Sequence, residues 1–520
     1  MVKDYDVVII GGSIGGVLAA YSSLKSNLKV ALVEETKWIG GQLTNQAVPS
    51  DEHRWIEEFG CTKTYRAFRD KVRDYYSQHP YFKTEIAYNP YFNPGNGWVS
   101  RIAHEPKVSL KIFYEMLQPF IDNHQLDIYL ETKAIEAKVI NDEVLTVKCA
   151  NFFTNEKIIF KAKYFVDGTD IGSLLPLTKT AYVTGAESKL ETNEPHAPKV
   201  AESLDMQPVT WVAAIEFAKG ESHIIPKPKY YERFKNSKLH FENGSIDKLS
   251  WSYPGLKRGE IECGSMFGSQ GISLFTYRRI INSDYYKENY HKNDVTILNW
   301  PQNDYHYGNI YESPDASHHL MMAKELTLSV IYWLQTEAPR DDGGFGYPEI
   351  KLRGDIVGTD DGLAMAPYIR ESRRIKALHT IYEQDISAHT VTSLPKFWDS
   401  VGIGSYHIDM HMTTVTNTFF YDHSWPFEIP LGILIPVATK NLLPACKNIG
   451  TTHLTNGCFR LHPVEWNVGE VVGYLIAFCI EYKITPQELY LRKDLVKRFQ
   501  SKLVSEGIEL HWPDDKVHVI

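Results

Sequence analysis

The amino-terminal segment contains the unit that most restricts the fold of this chain. Residues 7–10 form a short apolar run of β-branched residues, typical of a strand buried on both faces, and residues 17–26 read as a helix. A second apolar run, residues 29–33, ends at Glu34. This order of strand, glycine-rich turn, helix, strand and acid predicts a Rossmann-type nucleotide-binding unit.

The turn between the first strand and the helix supports this prediction. It reads Gly11-Gly12-Ser13-Ile14-Gly15-Gly16. Glycines let the backbone approach a pyrophosphate closely, and the helix N-terminus offers N–H groups and a positive dipole end to that anion. Glu34 would accept hydrogen bonds from the adenosine ribose. Ser13 stands where the usual pattern has its second glycine, so backbone clearance is reduced while a hydroxyl is gained. The alternative is a structural turn in another α/β fold.

The sequence beyond Glu34 favours FAD over a nicotinamide dinucleotide. A second glycine pair would let the chain wrap the cofactor beyond the ribose, where a nicotinamide dehydrogenase would normally continue into another βα unit. The contacts predicted for this segment are Glu35, Gly40, Gly41, Gln42 and Leu43. Asp167-Gly168-Thr169, after a predicted strand, is similar to the turn that closes over the nucleotide in two-dinucleotide-fold flavoproteins. No second glycine fingerprint follows a predicted strand, so a built-in NAD(P)H domain is not expected.

A predicted helix near the carboxyl terminus is a further candidate cofactor contact. Pro463 suits the first turn of a helix. A helix N-terminus aimed at the pyrimidine edge of a flavin would stabilise negative charge on the reduced ring. We therefore expect Arg460 and Val464 to contact the cofactor. A packed core helix is the alternative, and both interpretations can hold together.

These segments together resemble the bacterial FAD-dependent oxidoreductase family, which is similar to glutathione reductase in its cofactor domain. The resemblance rests on residues 11–16, 34–44, 166–169, 368–374 and 442–473. It implies an α/β fold in which a Rossmann-like FAD-binding domain of glutathione reductase type carries an inserted α+β substrate domain. FAD is the implied cofactor. The resemblance says little about the substrate.

At 520 residues the chain is longer than one hydrophobic core usually serves. We expect a discontinuous FAD-binding domain over 1–50, 100–185 and 430–490, a substrate domain over 51–99 and 186–429, and a C-terminal helix and tail over 491–520. Apolar periodicity predicts helices over 107–124, 317–335 and 362–383, and alternation predicts strands near 208–217 and a hairpin of 133–150 with 152–161. The polar tail from Trp512 is expected to be loose.

Composition excludes several functional classes. The net charge is −9 without a lysine or arginine block, which argues against nucleic-acid and anionic-membrane partners. No signal-peptide core precedes the first strand, and the most apolar stretch, residues 471–480, is short for a bilayer, so we expect a cytoplasmic protein. The six cysteines form no C-x-x-C pair, so neither a disulfide framework nor a zinc site is expected.

Several polar clusters are candidates for proton handling beside a flavin. On a strand, His407, Asp409 and His411 would share one face, as a proton-handling group oriented by a carboxylate, as a metal site, or as ordinary structural contacts. We expect no bound metal. His462, just before the predicted flavin-facing helix, is the second candidate. The loop over 300–306 is a binding loop or a surface turn.

Arg370, Arg373 and Arg374 would lie on one side of the predicted helix over 362–383, either near the cofactor or in structural ion pairs.

The function that this sequence favours is FAD-dependent oxidation of a small polar organic molecule, with hydride passing from a C–H bond to flavin N5. The electrons would leave to oxygen or to an external carrier. Two alternatives stay open: a flavin monooxygenase that uses an external reductant, and a non-catalytic flavin-binding protein.

Overall fold

The computed structural model describes residues 1–241, 244–255, 257, 260–269 and 271–520. Among them, a seven-stranded sheet contains six strands from the amino-terminal part of the chain and one from the carboxyl-terminal part. The first six are β1 (Val2–Ile10), β2 (Val30–Val33), β3 (Leu126–Tyr129), β4 (Thr132–Ile140), β5 (Glu143–Asn151) and β6 (Lys157–Asp167). They lie in the order β3-β2-β1-β6-β5-β4, and the strand Leu442–Pro444 pairs with β6.

The centre of this sheet is parallel. β1 runs parallel to β2 and β6, β2 to β3, and β6 to Leu442–Pro444. Helices cover such strands on both faces, so their side chains are apolar without alternation. Val7, Ile9 and Leu32 are accordingly inaccessible to solvent. β4 and β5 extend the sheet as antiparallel strands.

Two helices pack unusually closely beneath this sheet. The first, Ile14–Lys25, connects β1 to β2, and Ser13 caps it by accepting a hydrogen bond from the Gly16 N–H. The second is His462–Tyr482. A Cβ atom at Gly469 would lie 2.2 Å from the carbonyl oxygen of Gly15, and one at Gly473 would lie 2.5 Å from the carbonyl oxygen of Ala19. Glycine at these positions is what permits the approach.

The remaining strands form smaller sheets. One has four strands: Arg279–Ile281, Val295–Leu298, Ala213–Phe217 and Ile350–Leu352. Two have three strands: Asp304–Tyr305, Val209–Thr210 and Tyr368–Ile369; and Ser252–Pro254, Ile261–Ser265 and Ile272–Ser273. The others are pairs: Tyr182–Val183 with Arg374–Ile375, Lys238–Phe241 with Gly244–Asp247, Ser400–Gly404 with Phe427–Pro430, and Ile408–Met410 with Phe420–Asp422. The first of these sheets contributes to a second apolar core with the helix Ala316–Thr336.

The other helices range from single turns to five turns. They are Lys63–Ser77, Thr84–Ala87, Pro106–Asp122, Leu174–Thr178, Lys189–Thr192, Tyr231–Lys235, Leu274–Tyr277, Gly354–Val357, Glu383–Ile386, Asn456–Phe459, Pro486–Tyr490 and Lys493–Ser505. Short 3₁₀ turns occupy Gly41–Leu43, Ser283–Tyr285, Pro301–Asn303 and Leu431–Leu434. The predicted helices over 107–124 and 317–335 and the strands near 208–217 are confirmed.

Three local predictions are wrong. Residues 362–383 form short strands instead of a helix, because Pro367 disfavours helical backbone before it and Tyr368 pairs with Thr210. The expected hairpin is a three-stranded meander, since β4 already turns at Asn141–Asp142, where both residues have positive φ. The tail is packed: Trp512 is buried and donates its indole N–H to the carbonyl of Phe427.

The helix His462–Tyr482 also corrects the expectation that every apolar stretch is too short to cross a bilayer. In the described part of the chain it is the one helix long and apolar enough, by length and composition, to cross a membrane. Within the fold, 89% of its most apolar window is buried. A core helix passes the same test, so this is weak evidence for a membrane span.

Candidate functional site

The glycine-rich turn lies at the carboxyl ends of β1 and β6. Gly11 has φ +96°, a left-handed conformation that disfavours a side chain. A Cβ atom there would lie 2.3 Å from the carbonyl carbon of Gly168, so the ends of the two strands touch through their backbones. Ligands of open parallel sheets bind at this edge.

Only some of the backbone N–H groups of the turn donate hydrogen bonds within the protein. Gly12 N–H donates to Glu34 Oε2 (2.7 Å), and Gly15 N–H donates to Glu465 Oε1 (3.1 Å). Among the described residues, the amides of Ser13 and Ile14 have no hydrogen-bond acceptor. Two donors at a helix N-terminus are therefore available to an anion.

A cavity of about 860 Å³ opens beside this turn, which is within the usual size range of ligand pockets. Five of the predicted cofactor-binding residues line it: Gly11, Glu34, Glu35, Gly168 and Thr169. Further walls are Asn45, Gln46, Lys133, Asp170, Trp211, Pro367, Ile369 and Arg373. Burial raises the pKa of Glu34 to about 7, although hydrogen bonds from Thr36 and Gly12 oppose the shift.

The other predicted cofactor residues are not among the described residues that line this cavity. They are Gly12, Ser13, Ile14, Gly15, Gly16, Gly40, Gly41, Gln42, Leu43, Asp167, Arg460 and Val464. Asp167 orders the second turn, because its carboxylate accepts hydrogen bonds from the Thr169 and Leu174 amides. Gly40 faces Phe113, and Gly41 packs on Ser13. Cofactor contacts by this group stay predictions.

The polar atoms around the cavity suit a dinucleotide with N–H donors. The side-chain oxygens of Gln42, Asn45 and Gln46 are buried and have no hydrogen-bond partner within the described residues. An unpaired buried acceptor costs about 1–3 kcal/mol. Asn45 and Gln46 line the cavity, so a ligand that donates there would remove this cost. With the free turn amides and Glu34, these residues fit FAD.

An ion group beside the turn was missed at the sequence level. Lys447 Nζ lies 2.6 Å from Asp170 Oδ1 and 3.4 Å from Glu465 Oε2. Burial alone would lower the pKa of Lys447, but the charges of Asp170 and Glu465 hold it well above its usual value. Asp170 lies 277 positions from Lys447 and Glu465 lies 18 positions from it, so no local pattern signals the group. It places a cation near the predicted position of the diphosphate.

The predicted strand cluster is only partly assembled. His411 Nδ1 lies 2.6 Å from Asp304 Oδ2, and its Nε2 lies 3.5 Å from Asp409 Oδ2. Arg460 Nη2 lies 3.1 Å from the same Asp409 oxygen. His407 packs instead against Tyr421, with ring centroids 4.8 Å apart. The structure thus joins Asp409 and His411 with Asp304, which belongs to the loop over 300–306.

The two aspartates of this cluster are held in the charged form. Burial alone would raise the pKa of Asp304, but the charge of Arg370 and the hydrogen bond from His411 hold it well below its usual range. Burial would also raise the pKa of Asp409, but the neighbouring His411 and the charge of Arg460 lower it in the same way. His411 therefore lies between two carboxylates, and its side chain keeps 25% of its surface accessible.

His462 has a different environment. Its Nδ1 accepts a hydrogen bond from the Asp51 N–H (3.1 Å), and Nε2 lies 3.3 Å from the carbonyl of Val48. Burial lowers its pKa to about 4. A neutral imidazole whose two nitrogens are both engaged by the backbone positions residues 48–51 against the helix that begins at His462.

The arginines of the corrected segment are in structural ion pairs. Arg370 pairs with Asp304, Arg373 with Glu312, and Arg374 with Glu187 and Glu371. These pairs explain why the segment is buried although it is rich in charge.

One group in the described residues has the composition of a metal site. Ligand atoms of His196, Glu383 and Asp422 lie within 4.8 Å of one another. His196 Nδ1 is hydrogen-bonded to Glu383 Oε1, which already explains their approach. The absence of a bound metal stays a prediction.

One family of known proteins matches nearly the whole chain. The family described as FAD dependent oxidoreductase matches residues 6–503. No curated protein matches the chain.

Three solved structures are similar over varying lengths. L-proline dehydrogenase from P. horikoshii has 18% identity and a TM-score of 0.19, over 37% of this chain and 26% of its own. A geranylgeranyl bacteriochlorophyll reductase-like protein from Thermoplasma acidophilum has 11% identity and a TM-score of 0.35, over 98% and 85%. The flavin-dependent monooxygenase PieE, in complex with FAD and substrate, has 13% identity and a TM-score of 0.25, over 41% and 35%. The chain thus spans about a quarter of the proline dehydrogenase's length and a third of PieE's.

Proposed function

Because the chain belongs to the FAD-dependent oxidoreductase family, we propose that it oxidises a small polar organic molecule by hydride abstraction, as a dehydrogenase or oxidase. The protein is an enzyme with a mixed α/β fold, a Rossmann-like FAD-binding domain and FAD as cofactor. When bound, FAD supplies the hydride acceptor at N5. The observation that carries the proposal is the His411 imidazole between Asp304 and Asp409.

The residues around the large cavity would hold FAD. Glu34 would accept from the ribose hydroxyls, and the Ser13 and Ile14 amides would bind the diphosphate. Lys447 would add a positive charge on the same side. We further propose that the domain is of glutathione reductase type and discontinuous over 1–50, 100–185 and 430–490, since strands from all three ranges share one sheet.

His411 is the proposed proton acceptor. The carboxylate of Asp304 orients the ring by accepting from Nδ1–H, which leaves Nε2 free to take a proton. The imidazolium formed would be stabilised by Asp304 and Asp409 together. When a substrate carbon gives up a hydride, the O–H or N–H group on that carbon must give up a proton, so an alcohol or an amine suits this arrangement.

An anaerobic bleaching screen tests the proposal. Purified holoenzyme is mixed with alcohols, amines, sugars, hydroxy acids and amino acids, and loss of the flavin absorbance is followed without oxygen. A substrate of the proposed reaction bleaches the flavin by itself. His411→Asn should slow bleaching by about 10²- to 10⁴-fold while FAD content stays constant. His318→Asn, at an exposed histidine, is the matched control and should bleach at the wild-type rate.

Other outcomes support the alternatives. Bleaching by NAD(P)H, with oxygen uptake coupled to hydroxylation of an added substrate, would favour a monooxygenase. Absence of bleaching by every compound would favour a non-catalytic flavin-binding protein. A His411→Asn enzyme that bleaches as fast as the wild type would remove His411 from the proposed machinery.

A further inference from the structure

Arg278 is a buried arginine whose hydrogen-bonding capacity is largely unused. A guanidinium carries five N–H donors. Among the described residues, the one hydrogen bond of Arg278 is a long contact of 3.4 Å from Nη1 to Asp51 Oδ1. Its Nε is buried without a partner, and its side chain is 12% exposed. The guanidinium also lies over the ring of Tyr277, with Cζ 5.3 Å from the centroid.

Arg69 shows what a structural arginine looks like in this same protein. Its side chain is 1% exposed and makes four hydrogen bonds of 2.7–3.3 Å to the carboxylates of Glu52 and Glu57. Burying a charge without such partners is strongly unfavourable. The weak pairing of Arg278 therefore indicates that its partner is supplied from outside the chain.

Arg460 is a second donor in the same place. Its side chain is 3% exposed, and its Nη1 and Nη2 donate to the Tyr368 hydroxyl (2.6 Å) and to Asp409. Its Nε is buried and has no partner in the described residues. Arg278 contacts Asp51, the Asp51 N–H donates to His462, and Arg460 precedes His462 by two residues, so the two guanidiniums border a common region.

This region opens next to the proposed proton acceptor. Asp409 joins it to His411, and the Asp51 amide joins it to His462 at the start of the long helix. Burial raises the pKa of Tyr406 and Tyr277, yet both side chains keep some accessible surface. Arg278 is accessible in the same way, with 12% of its side-chain surface exposed.

We propose that the substrate of the oxidation described above carries a carboxylate, which Arg278 and Arg460 bind. This inference rests on the proposed function for the identity of the ligand as substrate. Guanidinium groups match planar carboxylates through paired N–H donors. A monoanion suits the region better than a phosphate dianion, because the carboxylates of Asp51 and Asp409 already lie there. The substrate class is thus a small hydroxy or amino monocarboxylic acid.

Ligand binding to the holoenzyme tests the inference without turnover. Sodium propanoate is titrated into FAD-loaded protein, and binding is followed by calorimetry and by the change in flavin absorbance. Propanamide, the neutral molecule of the same shape, and inorganic phosphate are titrated in parallel. Propanoate should bind at least about tenfold more tightly than propanamide, because only the anion pairs with charged donors.

Arg278→Gln is the decisive variant, since Arg460 is also a predicted FAD contact. It should weaken propanoate binding by about 10- to 100-fold and leave propanamide binding unchanged. Arg278→Lys keeps the charge and should lose less affinity. Arg340→Gln removes a partly exposed arginine that pairs with Asp342, so it is the matched control and should bind propanoate like the wild type. FAD content and the unfolding temperature report whether each variant is folded.

Three results would overturn the inference: equal binding of propanoate and propanamide, unchanged affinity in a folded Arg278→Gln protein, or tighter binding of phosphate than of propanoate. Its failure can be told apart from failure of the proposed function. Bleaching only by uncharged alcohols or amines would leave the oxidation in place and refute the carboxylate. Propanoate binding through Arg278, with no bleaching by any compound in the screen, would support the anion site and refute the oxidation.

Discussion

Replacing Gly11 with alanine tests the geometry on which the whole cofactor site depends. The change destabilises the folded protein through two separate energetic costs, one from the backbone conformation and one from a steric clash. The backbone at Gly11 has φ +96°, and the new Cβ would lie 2.3 Å from the backbone of Gly168, where no side chain can move aside. Gly343 offers a control with only the first cost, because its φ is +83° and a Cβ there would have nothing within 4 Å.

The two substitutions should therefore differ by the steric cost alone. A left-handed conformation costs an L-residue about 1–2 kcal/mol. Forcing a methyl group into a packed site adds about 1–3 kcal/mol. We expect Gly343→Ala to destabilise the protein by about 1–2 kcal/mol and Gly11→Ala by about 2–5 kcal/mol. Gly11→Ala should also lose FAD, because the strand ends that line the cavity must separate.

Urea unfolding followed by tryptophan fluorescence compares the stabilities, and visible absorbance per chain measures the FAD retained. Gly343→Ala should retain FAD fully. If Gly11→Ala matched Gly343→Ala in both measurements, the contact between the two turns, and with it the position assigned to the diphosphate, would be wrong.

Three further predictions concern other buried groups. Burial raises the pKa of Glu470 to about 7, so the folded protein binds this proton more tightly than the unfolded chain, and stability falls as the pH rises from about 4.5 to 7. Glu470→Gln should abolish that part of the decline. In urea unfolding it should add up to about 3 kcal/mol to the free energy of unfolding at pH 8 and nothing at pH 4. Glu465→Gln removes a negative charge beside the Gly15 amide and should tighten FAD binding about fivefold, as measured by quenching of flavin fluorescence. Unchanged or weaker binding would contradict a diphosphate close to this carboxylate. Trp512→Ala should destabilise the protein by about 3–5 kcal/mol, because the side chain is buried and bonded to Phe427; a change below about 1 kcal/mol would mean that the tail is loose after all.

The nucleotide-binding unit was predictable because its information is local. β1, the glycine turn, the first helix and β2 follow one another directly, and each has its own periodicity or turn residues. The segment around Arg370 was not predictable in this way. Its charges are neutralised by Asp304, Glu312 and Glu187 from distant parts of the chain, and its strand pairs with Thr210. Tertiary contacts override local helical spacing there.

The candidate substrate site was predictable only in fragments. Alternation brought Asp409 and His411 to attention, and loop composition brought attention to residues 300–306, which include Asp304. Nothing in either segment indicates that His411 Nδ1 lies 2.6 Å from Asp304 Oδ2. Arg278 carries no local signal either, because what distinguishes it is the absence of strong partners in the folded protein, whereas Arg69 has four bonds to carboxylates.

The two candidate histidines show why such sites require the structure. At the sequence level His462 has the stronger position, next to a predicted flavin-facing helix. In the fold both of its nitrogens lie against the backbone and burial lowers its pKa to about 4, so it has neither a free proton nor a free lone pair to offer a substrate. His411 has one nitrogen fixed by a carboxylate and part of its surface open. A general base needs one oriented nitrogen and one accessible nitrogen, and this requirement selects His411.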